Sequence, residues 1–332
     1  MIKKQRIKAI GLLSGGLDSS LAAKLMIEQK IDVYALNFTS PLCLCNREGR
    51  CESYDIAEKL KIPLKIMAKG DDYAKIVKKP KHGYGKHANP CIDCRIYAFK
   101  KAKEYMKEIG AKFIFTGEVL NQRPMSQHKQ ALMLIEKESS LKGLVVRPLS
   151  GKLLPATMPE KKGWIKRKKM LDIEGRRRIK QIELAKNLNW KDYHCPSGGC
   201  LLTYDEFSKK VKDLVKKEKE LTMKNLALLK YGRHFRCGRN KIIIGRDDKE
   251  NKLLAKMRNE KDYLFEAEKI MGPTTILQGP KNKKAIETAA KLTARYGDAK
   301  KKKVKILYGQ ELNKKITVEK AKEKEIEKLR IK

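Results

Sequence analysis

The chain has 332 residues, enough for about two domains with a small element between them and too many for one small fold. Lysine plus arginine number 78 against 39 aspartate plus glutamate, so the formal charge is +39, a surplus that calls for a polyanionic partner, nucleic acid first. A hydrophobic content of 41% excludes wholesale disorder, and the longest apolar stretches, residues 7–13 and 31–36, fall far short of the ~20 residues of a membrane span.

The basic start MIKKQR runs straight into strand-like sequence without a small-residue cleavage site, which reads as the start of a domain and not as a secretory signal. A cytoplasmic protein is expected, with no membrane partner, and its eight cysteines then read as metal ligands or reactive thiols in preference to disulfides. Abundant Lys and Glu with 6% aromatic residues would also suit a thermophile.

From residue 8 to about 150, β-rich runs (KAIGLL, IDVYALNF, LKIMA, KFIFTGE, GLVVRPL) alternate with helical periodicity (LDSSLAAKLMIEQ, CESYDIAEKL, CRIYAFKKAKEYMKEI, SQHKQALMLIEKE). That alternation predicts an α/β fold, a doubly wound parallel sheet whose ligands sit at the carboxyl ends of its strands. Residues 14–19, 43–51, 89–94 and 117–127 occupy those ends. The expected organisation is an α/β domain over 1–155 and a basic helical lobe over 156–205. A linker helix over 206–230 and an α+β domain over 231–332 complete it. The lobe, with Arg176, Arg177 and Arg178, reads as facing nucleic acid, a solvated basic helix being the plainer alternative. The last domain reads as hairpin, helix, strand, helix and strand, and no internal repeat is present.

Directly after the first strand stands Ser14-Gly15-Gly16-Leu17-Asp18-Ser19-Ser20, followed by an apolar-periodic helix. Two glycines let the backbone turn with its N–H groups inward, two serines add hydroxyl donors, and the helix start attracts an anion. A capped Gly-rich turn accounts for any two of these residues but poorly for the whole string. The Walker lysine is absent, which disfavours γ-phosphoryl transfer. The string resembles the PP-loop ATP pyrophosphatases, whose members cleave ATP between the α and β phosphates and adenylate an oxygen. The resemblance implies ATP with Mg²⁺ and binding by Ser14, Gly15, Gly16, Asp18, Ser19, Ser20 and Gly117, with Asp18 catalytic.

Asn89-Pro90-Cys91-Ile92-Asp93-Cys94-Arg95 and Ser197-Gly198-Gly199-Cys200 are similar to the sulfur-handling segments of the tRNA 2-thiouridylases, at which Cys94 and Cys200 match the two working cysteines. Cys91 is a departure, since the bacterial enzymes carry aspartate there. Two thiolates one helical turn apart plus a distant third could hold a [4Fe–4S] cluster at Cys91, Cys94 and Cys200, leaving one iron open. A persulfide relay and a structural zinc site are the other readings. Cys43, Cys45 and Cys51 form a C-x-C-x5-C group after the second strand that could bind a second metal, with Cys195 or His194 added. The spacing matches no strong template, and plain packing accounts for it as well. Cys237 reads as a small buried apolar residue.

Thr116-Gly117-Glu118 and the NQRPMSQ run at 121–127 fall where such enzymes approach ATP and the base. Arg123 there could pair a phosphate, or Ser126 could simply cap a helix. RPLSGKLLP and LDIEGRRR resemble a thiouridylase-like subgroup from archaea and anaerobic bacteria. RHFRCGRNKIIIGRDDKENKLL with KLTARYG resembles the RNA-binding module of NFACT-type proteins, which implies phosphate contacts from Arg233, His234, Arg236 and Arg246. Together these resemblances imply an ATP-dependent tRNA sulfurtransferase. Its partners would be tRNA and a sulfur donor (sulfide, a persulfide or a sulfur carrier protein), with an oligomer open. A small-molecule synthetase of the same loop family would leave the charge and paired cysteines without a role. A non-catalytic RNA-binding protein would not need the intact loop.

Overall fold

The computed structural model describes residues 6–44, 46–47, 50–188, 190 and 199–331, with residues 46–47 and 50–51 in backbone alone. The chain divides into two compact units, Met1–Thr203 and Tyr204–Lys332.

The first unit runs β1 (Lys8–Leu12), α1 (Leu17–Glu28), β2 (Asp32–Thr39), the short pair β3 (Asn46–Arg47) and β4 (Arg50–Cys51), then α2 (Glu52–Leu60) and β5 (Leu64–Ala68). It continues with α3 (Asp71–Lys78), α4 (Cys91–Glu108), β6 (Phe113–Thr116), α5 (Lys129–Glu138), β7 (Val145–Val146), α6 (Met158–Lys161) and α7 (Ile179–Asn187). β5, β2, β1, β6 and β7 line up in that order as one parallel sheet. Alternate residues point to opposite faces, so Ala9, Phe113 and Phe115 join α1 in one core while Ile10, Ile114 and Val145 join Phe99 of α4 and Ile135 of α5 in another. Helices therefore cover both faces, as expected of a doubly wound sheet. Ile165, Met170, Ile173 and Ala185 of the basic stretch are buried in the α1-side core, so its apolar residues are part of this unit's interior.

Strand order fixes where chemistry can gather. The chain leaves β1 for β2 on one side, and β6 lies on the other, which makes the gap between β1 and β6 the switch point of the sheet. Leu12 pairs with Thr116 at the carboxyl ends of these strands, so the segments starting at Leu13 and Gly117 emerge side by side.

The second unit comprises α8 (Asp205–Lys217), α9 (Met223–Leu228), β8 (Arg233–Cys237), β9 (Asn240–Ile244), α10 (Asp248–Met257) and β10 (Tyr263–Ala267), then β11 (Thr275–Gln278), α11 (Lys283–Tyr296), β12 (Lys303–Gly309), β13 (Lys314–Glu319) and α12 (Glu323–Leu329). Its six strands form an antiparallel sheet in the order β13, β12, β10, β11, β9, β8. α11 lays Ala285, Ala289 and Leu292 on one face, and Ile243, Ile276 and Leu254 pack on the other. The single helix expected over 206–230 is two helices, because the chain turns extended at Glu218 and restarts with a capping box in which Thr222 and Asn225 bond reciprocally. β10, β13 and α12 add to the elements expected of this unit.

Candidate functional site

The turn after β1 is shaped by one glycine and closed by hydroxyls. Gly15 has φ +85°, and a Cβ on it would stand 2.7 Å from the backbone of Glu52 and Ser53. The Ser14 and Ser19 hydroxyls lie 3.1 Å apart, while Ser19 Oγ and Ser20 Oγ donate to Gly16 O across 2.9 and 3.0 Å. Three hydroxyls thus gather at the start of α1, where unpaired helix N–H groups favour an anion. Gly117 presses on the same place from β6, for a Cβ there would stand 2.4 Å from Ser19 N. Among the residues expected at the nucleotide, the structure therefore brings residues 14–20 and Gly117 together.

Asp18 is half-buried in this loop and Arg178 Nε donates to its Oδ2 across 3.3 Å, while Oδ1 is buried with the Gln122 and Gln181 amides beside the carboxyl. Burial raises the Asp18 carboxyl above its usual range, and Arg178 offsets part of that rise. Arg178 is thereby drawn into the loop, whereas Arg176 and Arg177 are exposed. Glu118, next to Gly117, is buried between Arg147 Nε at 3.0 Å and Arg95 Nε at 3.3 Å, which ties the end of β6 to α4. Ser126 does not cap α5. His128 is the cap, its Nδ1 accepting from Ala131 N across 3.3 Å, and Ser126 is buried.

The cysteines approach the loop from two other segments. Pro90 is the N-cap of α4, so Cys91 and Cys94 share one face of its first turn. Asp93 accepts from the backbone of Lys81 and His82 at 3.1 and 3.0 Å, anchoring the preceding loop to this turn. Asn89 Nδ2 lies 3.1 Å from Cys91 Sγ, and Lys69 Nζ, one residue beyond β5, lies 3.1 Å from Cys94 Sγ. Cys200 is carried by a segment that donates from Leu201 N to Leu42 O across 2.9 Å, and Leu202 O accepts from Ala88 N across 3.2 Å. One cavity of about 210 Å³ results, lined by Ser14 of the loop, Lys69, Cys91, Cys94, Arg123 and Cys200.

The three thiols differ in acidity. Burial pushes Cys91 above the usual thiol range and Cys200 up to about 12. Burial alone would raise Cys94 too, but the Lys69 ammonium and hydrogen bonds from Tyr73 and Lys69 hold it below that range. Lys69 also lies 4.4 Å above the Tyr73 ring. Neither residue was expected at the site, although Lys69 follows a parallel strand directly, the position at which ligand-binding residues gather.

Of the second cysteine group, Cys43 pairs with Cys200 in an antiparallel bridge. Cys45, His194 and Cys195 lie outside the described residues, as do Ser197, Gly198 and the Cys51 side chain. Among the described residues, no three His, Cys, Asp or Glu side chains stand together as ligands of a single metal ion.

In the second unit the expected phosphate contacts separate. His234 is 3% exposed, its Nε2 lies 2.8 Å from Tyr231 O, and burial with Lys241 nearby holds its imidazole well below the usual range. It is a neutral interior residue and supplies no cation. Arg236 is mostly buried against Asp213. Arg246 is paired with Glu250 but half-exposed, and Arg233 lies 4.6 Å over the Tyr296 ring. Arg233 and Arg246 line a cavity of about 480 Å³ with Lys209, Lys210 and Arg330, three cations that no sequence motif singles out. Cys237 is buried beside Thr288, as expected of a packing residue.

Two family models match the chain: thiamine biosynthesis protein (ThiI) over residues 5–153 and NFACT protein RNA binding domain over residues 232–330. A "Probable tRNA sulfurtransferase" of Thermococcus kodakarensis is 29% identical over 148 residues, covering 43% of this chain and 37% of the relative. The tRNA-specific 2-thiouridylase MnmA of Clostridium perfringens is 34% identical over 131 residues, covering 35% and 36%. The chain thus spans little more than a third of the length of these curated relatives. A solved 4-thiouridine synthetase–RNA complex with bound ATP overlaps 66% of this chain and 52% of its own at 21% identity and a TM-score of 0.40. Residues 5–153 are thus similar to the ThiI family and residues 232–330 to the NFACT RNA-binding domain.

Proposed function

We propose that the chain is an ATP-dependent tRNA thiolase that activates a uridine carbonyl oxygen with release of pyrophosphate and replaces it with sulfur. The observation that carries this reading is the shared cavity, in which Ser14 of the phosphate loop faces Cys91, Cys94 and Cys200. A nucleotide held by the loop and sulfur held by the thiols would meet at one uridine there. A small-molecule synthetase has no use for those thiols or for the second unit, and a tRNA substrate implies the cytoplasm.

In this reading the amides and hydroxyls of residues 14–20 bind the phosphates of ATP, with Gly117 keeping the approach to Ser19 open. The buried Asp18 Oδ1 atom fits a cation such as Mg²⁺, which would neutralise phosphate charge. Arg95 and Arg123 line the cavity and supply positive charge where it develops on the α-phosphate. Arg233 and Arg246 with Arg176 and Arg177 contact the tRNA backbone.

We read the three cavity thiols, which line one cavity, as the ligand set of a [4Fe–4S] cluster. Its cysteine ligands sit on different irons, so they need not stand as close as ligands of one ion. When bound, such a cluster with one iron open would supply a site for sulfide. Lys69 favours the Cys94 thiolate that either sulfur chemistry needs, and that same pairing favours a persulfide relay as the second reading. Protein purified without oxygen separates the two. The cluster reading expects brown protein with about four irons and loss of colour and thiolation in Cys91→Ala, Cys94→Ala and Cys200→Ala. Full activity in colourless Cys91→Asp would establish the relay in its place.

A further inference from the structure

The sequence groups Cys43 with Cys45 and Cys51, yet the fold brings it to Cys200. Residues 42–44 and 199–201 run antiparallel. Leu201 N donates to Leu42 O across 2.9 Å, Leu44 N donates to Gly199 O across 3.1 Å, and Cys43 and Cys200 are the opposed pair between those bonds. The bonds flank the pair and do not join its own amides. It is therefore a non-hydrogen-bonded pair, the class in which α-carbons approach to ~4.5 Å with both side chains on one face. That separation falls inside the ~4.4–6.8 Å window that a disulfide spans. Cys94 contacts Lys69, Cys91 contacts Asn89, and Cys43 Sγ lies 3.2 Å from Ser40 Oγ.

We propose that Cys43 and Cys200 are a disulfide site, closed by exchange with a low-molecular-weight disulfide. The Cys43 thiolate attacks that disulfide, one small thiolate leaves, and a mixed disulfide forms on Cys43. Cys200 then attacks the Cys43 sulfur, the second small thiolate leaves, and the Cys43–Cys200 bond forms. Two protein thiols are oxidised, one small disulfide is reduced to two thiols, and the two protons end on those thiols. On the proposed sulfur-site reading, closure takes Cys200 out of the three-thiol set, so the site assembles only in reduced protein.

The test is a disulfide map of the full-length chain. Protein stripped of iron by a chelator is equilibrated anaerobically against mixtures of oxidised and reduced glutathione, alkylated, and digested without reduction. The expected result is the Cys43 peptide joined to the Cys200 peptide, rising and falling with the glutathione ratio. In Cys43→Ser, Cys200 is expected instead as a mixed disulfide with glutathione. Cys200 joined to any other cysteine, or Cys43 and Cys200 both recovered as alkylated thiols from the most oxidising mixture, would overturn the proposal. Iron content, read on a parallel sample before stripping, tests the cluster separately, because the map requires no iron.

Discussion

The Lys69 ammonium donates to the Cys94 sulfur across 3.1 Å, joining the residue that follows β5 to the first turn of α4. Burial would keep the proton on sulfur, but a lysine at that distance favours the thiolate, and together with the hydrogen bond from Tyr73 and the Arg95 charge it offsets the burial. Alkylation of Cys94 in iron-free protein should therefore rise with pH through a midpoint below that of an ordinary thiol. Cys200, pushed up to about 12, should stay slow over the same range. Lys69→Met should move the Cys94 midpoint upward; an unchanged profile would mean that the pair does not set the thiol's charge.

The phosphate loop yields a prediction with two independent variants. Asp18→Asn should lower tRNA-dependent pyrophosphate release by roughly 10²–10³-fold, the usual cost of one charge-stabilising group at such a centre. Gly117→Ala should weaken ATP binding without touching an ATP-facing side chain, because its Cβ would stand 2.4 Å from Ser19 N and 2.5 Å from the Asp18 carbonyl carbon. Equilibrium dialysis with ATP reads the second effect directly.

Much of the first unit was legible in the sequence. All five parallel strands were readable there, since buried parallel strands are near-continuous apolar runs. α3 was not, for it is a single eight-residue stretch whose Asp71, Asp72, Lys75 and Lys78 dilute the period. β13, KKITVE, carries the lysines of an edge strand and reads as surface. The loop and the Cys91–Cys94 pair were legible because their spacing is local, and Cys200 was legible from the glycines before it. Lys69 was not, since one lysine facing a thiol is hidden in a chain with 78 basic residues. The pairing of Cys43 with Cys200 depends on register between segments far apart in sequence, which no local pattern encodes. His234, expected to contact phosphate, is buried, because what packs over a strand residue's face is not written in the local sequence.

Glu118 supplies a stability test. Its carboxylate is buried between Arg95 and Arg147, which also pairs with Glu136, so removing it takes from the buried Arg147 one of its two carboxylates. Glu118→Ala should cost about 3–5 kcal/mol in denaturant unfolding of the chain. Glu118→Gln, which keeps an oxygen acceptor beside Arg147, should cost less than Glu118→Ala.

The second unit should govern the salt dependence of tRNA binding. Every tRNA phosphate that the protein ceases to neutralise lowers the slope of log K against log salt by roughly 0.7–0.9. Arg233→Ala combined with Arg330→Ala should flatten that slope while ATP affinity is retained. His234→Ala should instead lower stability, because that ring is buried and bonded to Tyr231. An unaltered slope in the double arginine variant would assign the cavity another occupant.

The most direct test is a single-turnover assay with anaerobically prepared protein, unmodified tRNA, Mg²⁺-ATP and sulfide, in which nucleotides and tRNA nucleosides are quantified together. The account predicts AMP, pyrophosphate and one thiolated uridine in equal amounts, with all three lost in Cys200→Ala or only the thiolated uridine lost. ADP and phosphate as products, or AMP formed by the wild-type chain with no sulfur entering the tRNA, would contradict it.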